Sequence, residues 1–182
     1  MNVRTVNFFS EGTKMEGDLF LPADYKAGER RPAVVLCHGF TGVRSLILAD
    51  YAKVFCAAGF VVLTFDYRGY GGSEGTRRRL IPLEQIDDIR NAISFVETLP
   101  EVDPNRIGLW GTSFGGANAP YAAGVDPASR RWSARSASGT GNVFCSILGV
   151  SANARSCFRR LPRTGVDVRW RALASGLILS MR

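Results

Sequence analysis

Apolar and polar positions alternate at the start of the chain, and the alternation predicts a hairpin of two strands at residues 3–9 and 15–21. Pro22 and the polar stretch 23–31 interrupt the pattern and read as a loop. Residues 33–37, AVVLC, are continuously apolar, as expected of a central strand buried on both faces. Residues 45–58 carry apolar side chains at helical spacing and stop at Gly59, a residue type suited to the left-handed position after a helix. A second buried strand is expected at 60–65. Pro82 can open a helix in which Ile86, Ile89, Ile93 and Val96 share one face. Residues 100–105 read as a connector, 107–110 as the next strand and 113–123 as the helix after it.

Strands alternating with helices imply a mostly parallel sheet covered on both faces, an α/β architecture. No internal repeat is present. After Pro127 the periodicity stops, and residues 170–182 offer only the prospect of a short helix. The expected organisation is therefore a folded part at 1–127 and a separate tail at 128–182.

Composition sharpens that division. The 182 residues suffice for one domain with a real core, and an apolar share of 46% is that of a globular chain. The net charge of +7 is unevenly spread. Residues 1–127 hold 13 Lys and Arg against 15 Asp and Glu, whereas residues 128–182 hold 10 Arg, no Lys and one acid, Asp167. The N-terminus lacks the apolar stretch of a secretory signal, and no apolar run approaches the ~18 residues needed to span a bilayer. The four cysteines, Cys37, Cys56, Cys145 and Cys157, show no metal-ligand spacing. Cys37 and Cys56 fall in buried patterns and read as free thiols, which suits a cytoplasmic location.

The chemistry concentrates in GTSFGG at 111–116. An apolar strand, a sharp turn at Ser113 and a helix start are the context of a nucleophile elbow, with Gly111 and Gly115 placed where side chains would collide. The turn lifts the Ser113 hydroxyl above the sheet edge, next to the free N–H groups of a helix N-terminus. Two further motifs precede it: HGFTG at 38–42 after one strand, and DYRGYGGSEG at 66–75 after the next.

In this order and spacing the three motifs resemble those of the α/β-hydrolase superfamily, over roughly residues 1–126. The second motif looks like the D-x-R-G-x-G-x-S stretch of serine aminopeptidases, monoglyceride lipases and related esterases. The chain is also similar to Xaa-Pro dipeptidyl-peptidase-like and dienelactone-hydrolase-like proteins. The resemblance implies an α/β-hydrolase sheet, truncated after the elbow helix, and hydrolysis of an ester, thioester or amide bond of a small molecule. Ser113 would be the nucleophile, and the backbone N–H groups of Phe40 and Phe114 would form the oxyanion hole. His38 and Gly39 would support the loop that presents Phe40. Asp66 would bond to backbone in the glycine loop, with Arg68 anchoring the same loop. No metal or organic cofactor is implied.

The chain departs from the superfamily pattern where the rest of the triad belongs. The superfamily places its acid and histidine after later strands, but His38 is the single histidine here and Asp167 the single acid after Pro127. A one-base frame change near Pro127 offers an explanation. One coding string for residues 128–134, read one base out of frame, gives Arg-Val-Lys-Ala-Val-Val-Ser, a good β-strand. The tail is accordingly expected to be frameshifted or not natively folded, and this chain to be an incomplete, weakly active or inactive copy. The alternative is a non-catalytic binding protein on a hydrolase scaffold.

Other readings are weaker. The arginines of the tail lack the lysines, spacing and module of a nucleic-acid-binding arm. The glycines at 69–75 are out of register for G-x-G-x-x-G, and there is no P-loop lysine. Arg77–Arg79 is expected to be a solvated surface. No membrane partner is expected.

Overall fold

The computed structural model describes residues 1–125, together with the backbone of four short strands within residues 132–180. The opening hairpin pairs β1 (Asn2–Ser10) with β2 (Thr13–Leu21) in register from Asn2↔Leu21 to Ser10↔Thr13. β3 (Arg31–Cys37), β4 (Val61–Phe65) and β5 (Val102–Thr112) form the parallel centre, with β3 between the other two. β2 lies antiparallel to β4. The order of the seven-stranded sheet is β1-β2-β4-β3-β5-β7-β6, where β6 is Trp132–Ser136 and β7 is Asn142–Ile147.

Period-two alternation divides the central strands between two cores. Val34 and Leu36 of β3, Val62 of β4 and Trp110 of β5 face one side, where helix α1 (Leu48–Ala57) supplies Leu48, Ala52, Phe55 and Cys56. Val35, Cys37, Leu63, Phe65, Ile107 and Leu109 face the other. There they meet Ile86, Ile89, Ile93 and Val96 of α2 (Pro82–Glu97) and Ala119, Ala122 and Ala123 of α3 (Phe114–Val125). Cys37 and Cys56 are buried and not in disulfides, and burial pushes the Cys56 thiol up to about 12.

α1 ends as its glycine suggests. Gly59 has φ +90°, its N–H reaches the Cys56 carbonyl at 2.9 Å, and the Phe60 N–H reaches Phe55 at 3.1 Å. That pair of bonds is a Schellman closure, which satisfies the last carbonyls and aims the chain into β4.

Three expectations need correction. The helix expected at 45–58 starts only at Leu48, because Leu46 and Ile47 are exposed and do not share the buried face. The stretch 100–105 is not a plain connector, since β5 begins at Val102, opposite Arg31. The register then slips before Ala33 meets Ile107, so Pro104 falls where no ladder donor is required. β7 pairs with the outer edge of β5 antiparallel, from Gly108↔Ser146 to Thr112↔Asn142. An unpaired strand edge accepts any extended segment that offers its own N–H and C=O groups. Within 170–182, two antiparallel strands stand in place of the expected helix: β8 (Arg169–Leu173) and β9 (Gly176–Ser180). Asp167 lies outside the described residues.

Candidate active site at the strand-to-helix elbow

β5 ends at Thr112 and α3 begins at Phe114, which leaves Ser113 alone in the junction. Its φ is +53°, in the left-handed region that a serine occupies at a cost of about 1–3 kcal/mol. The cost is imposed from both sides. A Cβ on Gly111 would strike the Gly115 carbonyl, and a Cβ on Gly115 would strike the carbonyls of Cys37 and His38. The Ser113 carbonyl accepts the Gly116 N–H at 2.9 Å, and the Ser113 side chain is left exposed. The Phe114 N–H belongs to the first turn of α3, where amides have no intrahelical acceptor.

The loop after β3 crosses directly above. A Cβ built on Gly39 would lie 3.1 Å from Ser113 Cβ and 3.5 Å from its Oγ. The Gly42 N–H returns to the Gly39 carbonyl at 3.2 Å, so residues 39–42 make a tight turn with Phe40 and Thr41 at its centre. Thr41 has φ +52°, as the third residue of a type II turn requires, although a β-branched side chain is poorly suited to it. The Phe40 N–H is not used by the turn bond. The Phe40 ring is 67% exposed and meets the Phe114 ring edge-to-face, with centroids 6.2 Å apart.

His38 is 4% exposed and packs edge-to-face on Tyr67, with centroids 4.5 Å apart. Its Nδ1 lies 2.9 Å from the Gly39 carbonyl. A carbonyl only accepts, so Nδ1 carries the proton in the neutral ring. Nε2 is buried with no hydrogen-bond partner among the described residues. Burial is the main influence on the imidazole and lowers its pKa below the ordinary value; the Gly39 bond and the charge of Asp66 pull the other way. The unfolded chain therefore takes up a proton that the folded chain resists. Stability should be intact above about pH 6.5 and fall as the pH drops through that value toward the depressed folded pKa. Because His38 is the single histidine, melting between about pH 7.5 and about pH 5 isolates it from carboxylates that titrate lower. His38→Asn should flatten that slope; an unchanged slope would refute the assignment.

Beneath the loop lies a charged cluster that sequence patterns did not reveal. The Asp66 carboxylate is buried and accepts the Arg44 N–H at 2.7 Å, the Gly72 N–H at 3.0 Å, and the Arg44 Nη1–H. The same guanidinium donates from Nε to Asp18 at 2.9 Å and from Nη2 to Glu16 at 2.5 Å. Burial opposes the Arg44 charge, but the bonds to Glu16 and Asp18 and the field of Asp66 outweigh it and raise its pKa. Ser73 joins in, donating to the Asp66 carbonyl at 2.6 Å while accepting the Glu16 N–H at 2.9 Å.

Arg68 is held elsewhere, by buried Asp88: Nε and Nη2 reach Oδ1 at 2.9 and 2.7 Å, and its N–H reaches Oδ2 at 3.1 Å. It ties the glycine loop to α2, away from Ser113. The side chains of 77–79 are exposed, Arg77 donating to the carbonyls of Gly71 and Ser73 and Arg79 pairing with Glu84 at 2.6 Å. Among the described residues no group of three or more His, Cys, Asp or Glu is placed to hold a metal ion. No described helix is long and apolar enough to cross a membrane.

The quorum-quenching protein AidA of Acinetobacter baumannii is 38% identical over 122 residues, covering 66% of this chain and 39% of that protein. The thiohydrolase aneE of Aspergillus aculeatus is 42% identical over 118 residues, covering 64% of this chain and 35% of that protein. The crystal structure of hypothetical protein PA2218 from Pseudomonas aeruginosa superposes with a TM-score of 0.65 at 35% identity, over 69% of this chain and 39% of that one. The chain thus spans well under half the length of each. The family model described as serine aminopeptidase, S33, matches residues 28–138, more than half the chain and past Pro127. The chain belongs to that family of hydrolases and carries its α/β-hydrolase fold.

Proposed function

We propose that Ser113 is the nucleophile of a serine hydrolase acting on an ester, thioester or amide bond of a small molecule. The observation that carries the reading is the strained, exposed Ser113 between β5 and α3, so close under the loop that a Cβ on Gly39 would come within 3.1 Å of its own Cβ. Ser113 Oγ attacks the carbonyl carbon while its proton passes to solvent water, and the displaced electron pair settles on the carbonyl oxygen. The Phe40 and Phe114 N–H groups hold that oxyanion, each such donor contributing about 3 kcal/mol. Collapse expels the alcohol or thiol, and water then releases the acyl group from Ser113. The thiohydrolase among the relatives supports a thioester or ester substrate.

In this chain the serine proton has no imidazole to receive it. His38 is buried, its Nδ1–H committed to Gly39, and it serves to brace the loop. Loss of the base costs ~10⁴ to 10⁶ in rate, so the chain as written is a weak or inactive copy. The test is intact-mass analysis after long incubation with a fluorophosphonate. The expected result is slow formation of one adduct, mapped to Ser113 and missing in Ser113→Ala. No adduct, or an equal one in Ser113→Ala, would overturn the nucleophile. The binding-protein reading rests on the same lack of a base, and a tightly held acyl ligand without any adduct would favour it.

For residues 128–182 we propose a frame change, supported by the abrupt switch to ten arginines against the single acid Asp167. Resequencing the DNA from codon 127 onward tests it. An alternative frame that stays open and encodes apolar strands, an acid and a histidine is expected; closed alternative frames would refute it.

A further inference from the structure

We infer that Arg44 is the positioning residue of the loop that presents the Phe40 N–H to the reacting carbonyl. The inference rests on the proposed role of the elbow and extends it to a residue outside the three motifs. The turn at 39–42 is strained at Thr41, so it holds its shape only if both ends are fixed. At the front, β3 and the His38 bond to Gly39 fix it. At the back, Arg44 does so twice over: its backbone N–H binds Asp66 Oδ1, and its Nη1 binds Oδ2 of the same carboxylate. The rest of the guanidinium reaches Asp18 and Glu16 on β2, two strands away from β3. The loop is thereby registered against β2 and the glycine loop, not merely against its own strand.

The fork matters as much as the charge. Nε, Nη1 and Nη2 each address a different carboxylate, an arrangement that a lysine ammonium cannot reproduce from one point. Without it, the strained turn relaxes and carries the Phe40 amide away from the oxyanion position. Asp66 would remain bonded to Gly72, so the sheet should persist while the loop loosens.

The test uses the full chain with Arg44→Gln, Arg44→Lys and Asp66→Asn, and two readouts. The first is the backbone amide resonances of residues 39–42, with those of α2 as an internal control for the fold. The second is the rate of fluorophosphonate addition to Ser113. Arg44→Gln should shift the amides of residues 39–42, leave α2 in place and slow addition about 10- to 100-fold. Arg44→Lys should recover only part of either effect, and Asp66→Asn should add little to Arg44→Gln, since both cut one clamp. If Arg44→Gln does not fold, Arg44→Lys carries the test by the same two signals. Unchanged loop amides and addition rate in a folded Arg44 variant would overturn the inference. Failure of the parent chain to react at Ser113 would instead refute the nucleophile, and the amide shifts would still decide the role of Arg44.

Discussion

Trp110→Ala is expected to destabilise the chain by about 3–5 kcal/mol, a large part of the stability of a domain this size. Trp110 is buried at the end of β5, on the face covered by α1. Its ring lies 4.2 Å, centroid to centroid, from Tyr51 and 6.3 Å from Phe55, both on α1. Truncation removes the largest side chain between α1 and the sheet, and the neighbours belong to rigid elements that cannot close the void. Denaturant titration followed by circular dichroism would read the loss as a lower midpoint. A loss under about 1 kcal/mol would mean that α1 does not pack on β5 as described.

Gly115→Ala is expected to cost about 3 kcal/mol, against the usual sign for a helix. An alanine for glycine in a helix interior ordinarily gains about 0.5–1 kcal/mol. Here the new Cβ would overlap the carbonyl oxygens of Cys37 and His38, which belong to backbone and cannot rotate away. Either α3 shifts off the sheet or β3 bends, and each moves Ser113 relative to Phe40. Gly124, on the same helix, is the matched control, because nothing lies within 4 Å of a Cβ placed there. Gly124→Ala should be neutral or slightly stabilising. Equal melting temperatures for the two variants would contradict the close approach of α3 to the β3 carbonyls.

Much of this architecture was legible because it repeats. The continuous apolar runs of β3 and β4 and the one-faced isoleucines of α2 are signals that need no distant partner to interpret. The elbow was legible for a similar reason: Gly111 meets its constraint at Gly115, within one turn of chain, although Gly115 meets its own at the carbonyls of Cys37 and His38. Arg44 was not, because its partners lie 22, 26 and 28 residues upstream or downstream and only the pairing of β2 with β4 brings them together. Asp88 was hidden likewise, as a polar residue on a helix whose sequence explains it equally well as solvated. The start of β5 within 100–105 was not legible, because the slipped register that accommodates Pro104 is a property of two strands at once. The stretch 170–182 misled because a short apolar run has no period long enough to separate helix from strand.

The pairing of the central strands sets the order in which the elbow can exist. Ala33 must find Val61, and Arg31 must find Val102, before the ladder on either side of β3 is complete. Contacts so far apart in sequence close large loops before any reward arrives, which puts folding on the slow, millisecond-to-second side of the range for domains. A nascent chain can form its β1–β2 hairpin early, while β3 waits without its second neighbour until residues 102–112 have been synthesised. The strained serine is therefore among the last features to appear, and during that wait the apolar run of β3 is the segment that a chaperone would have most reason to cover.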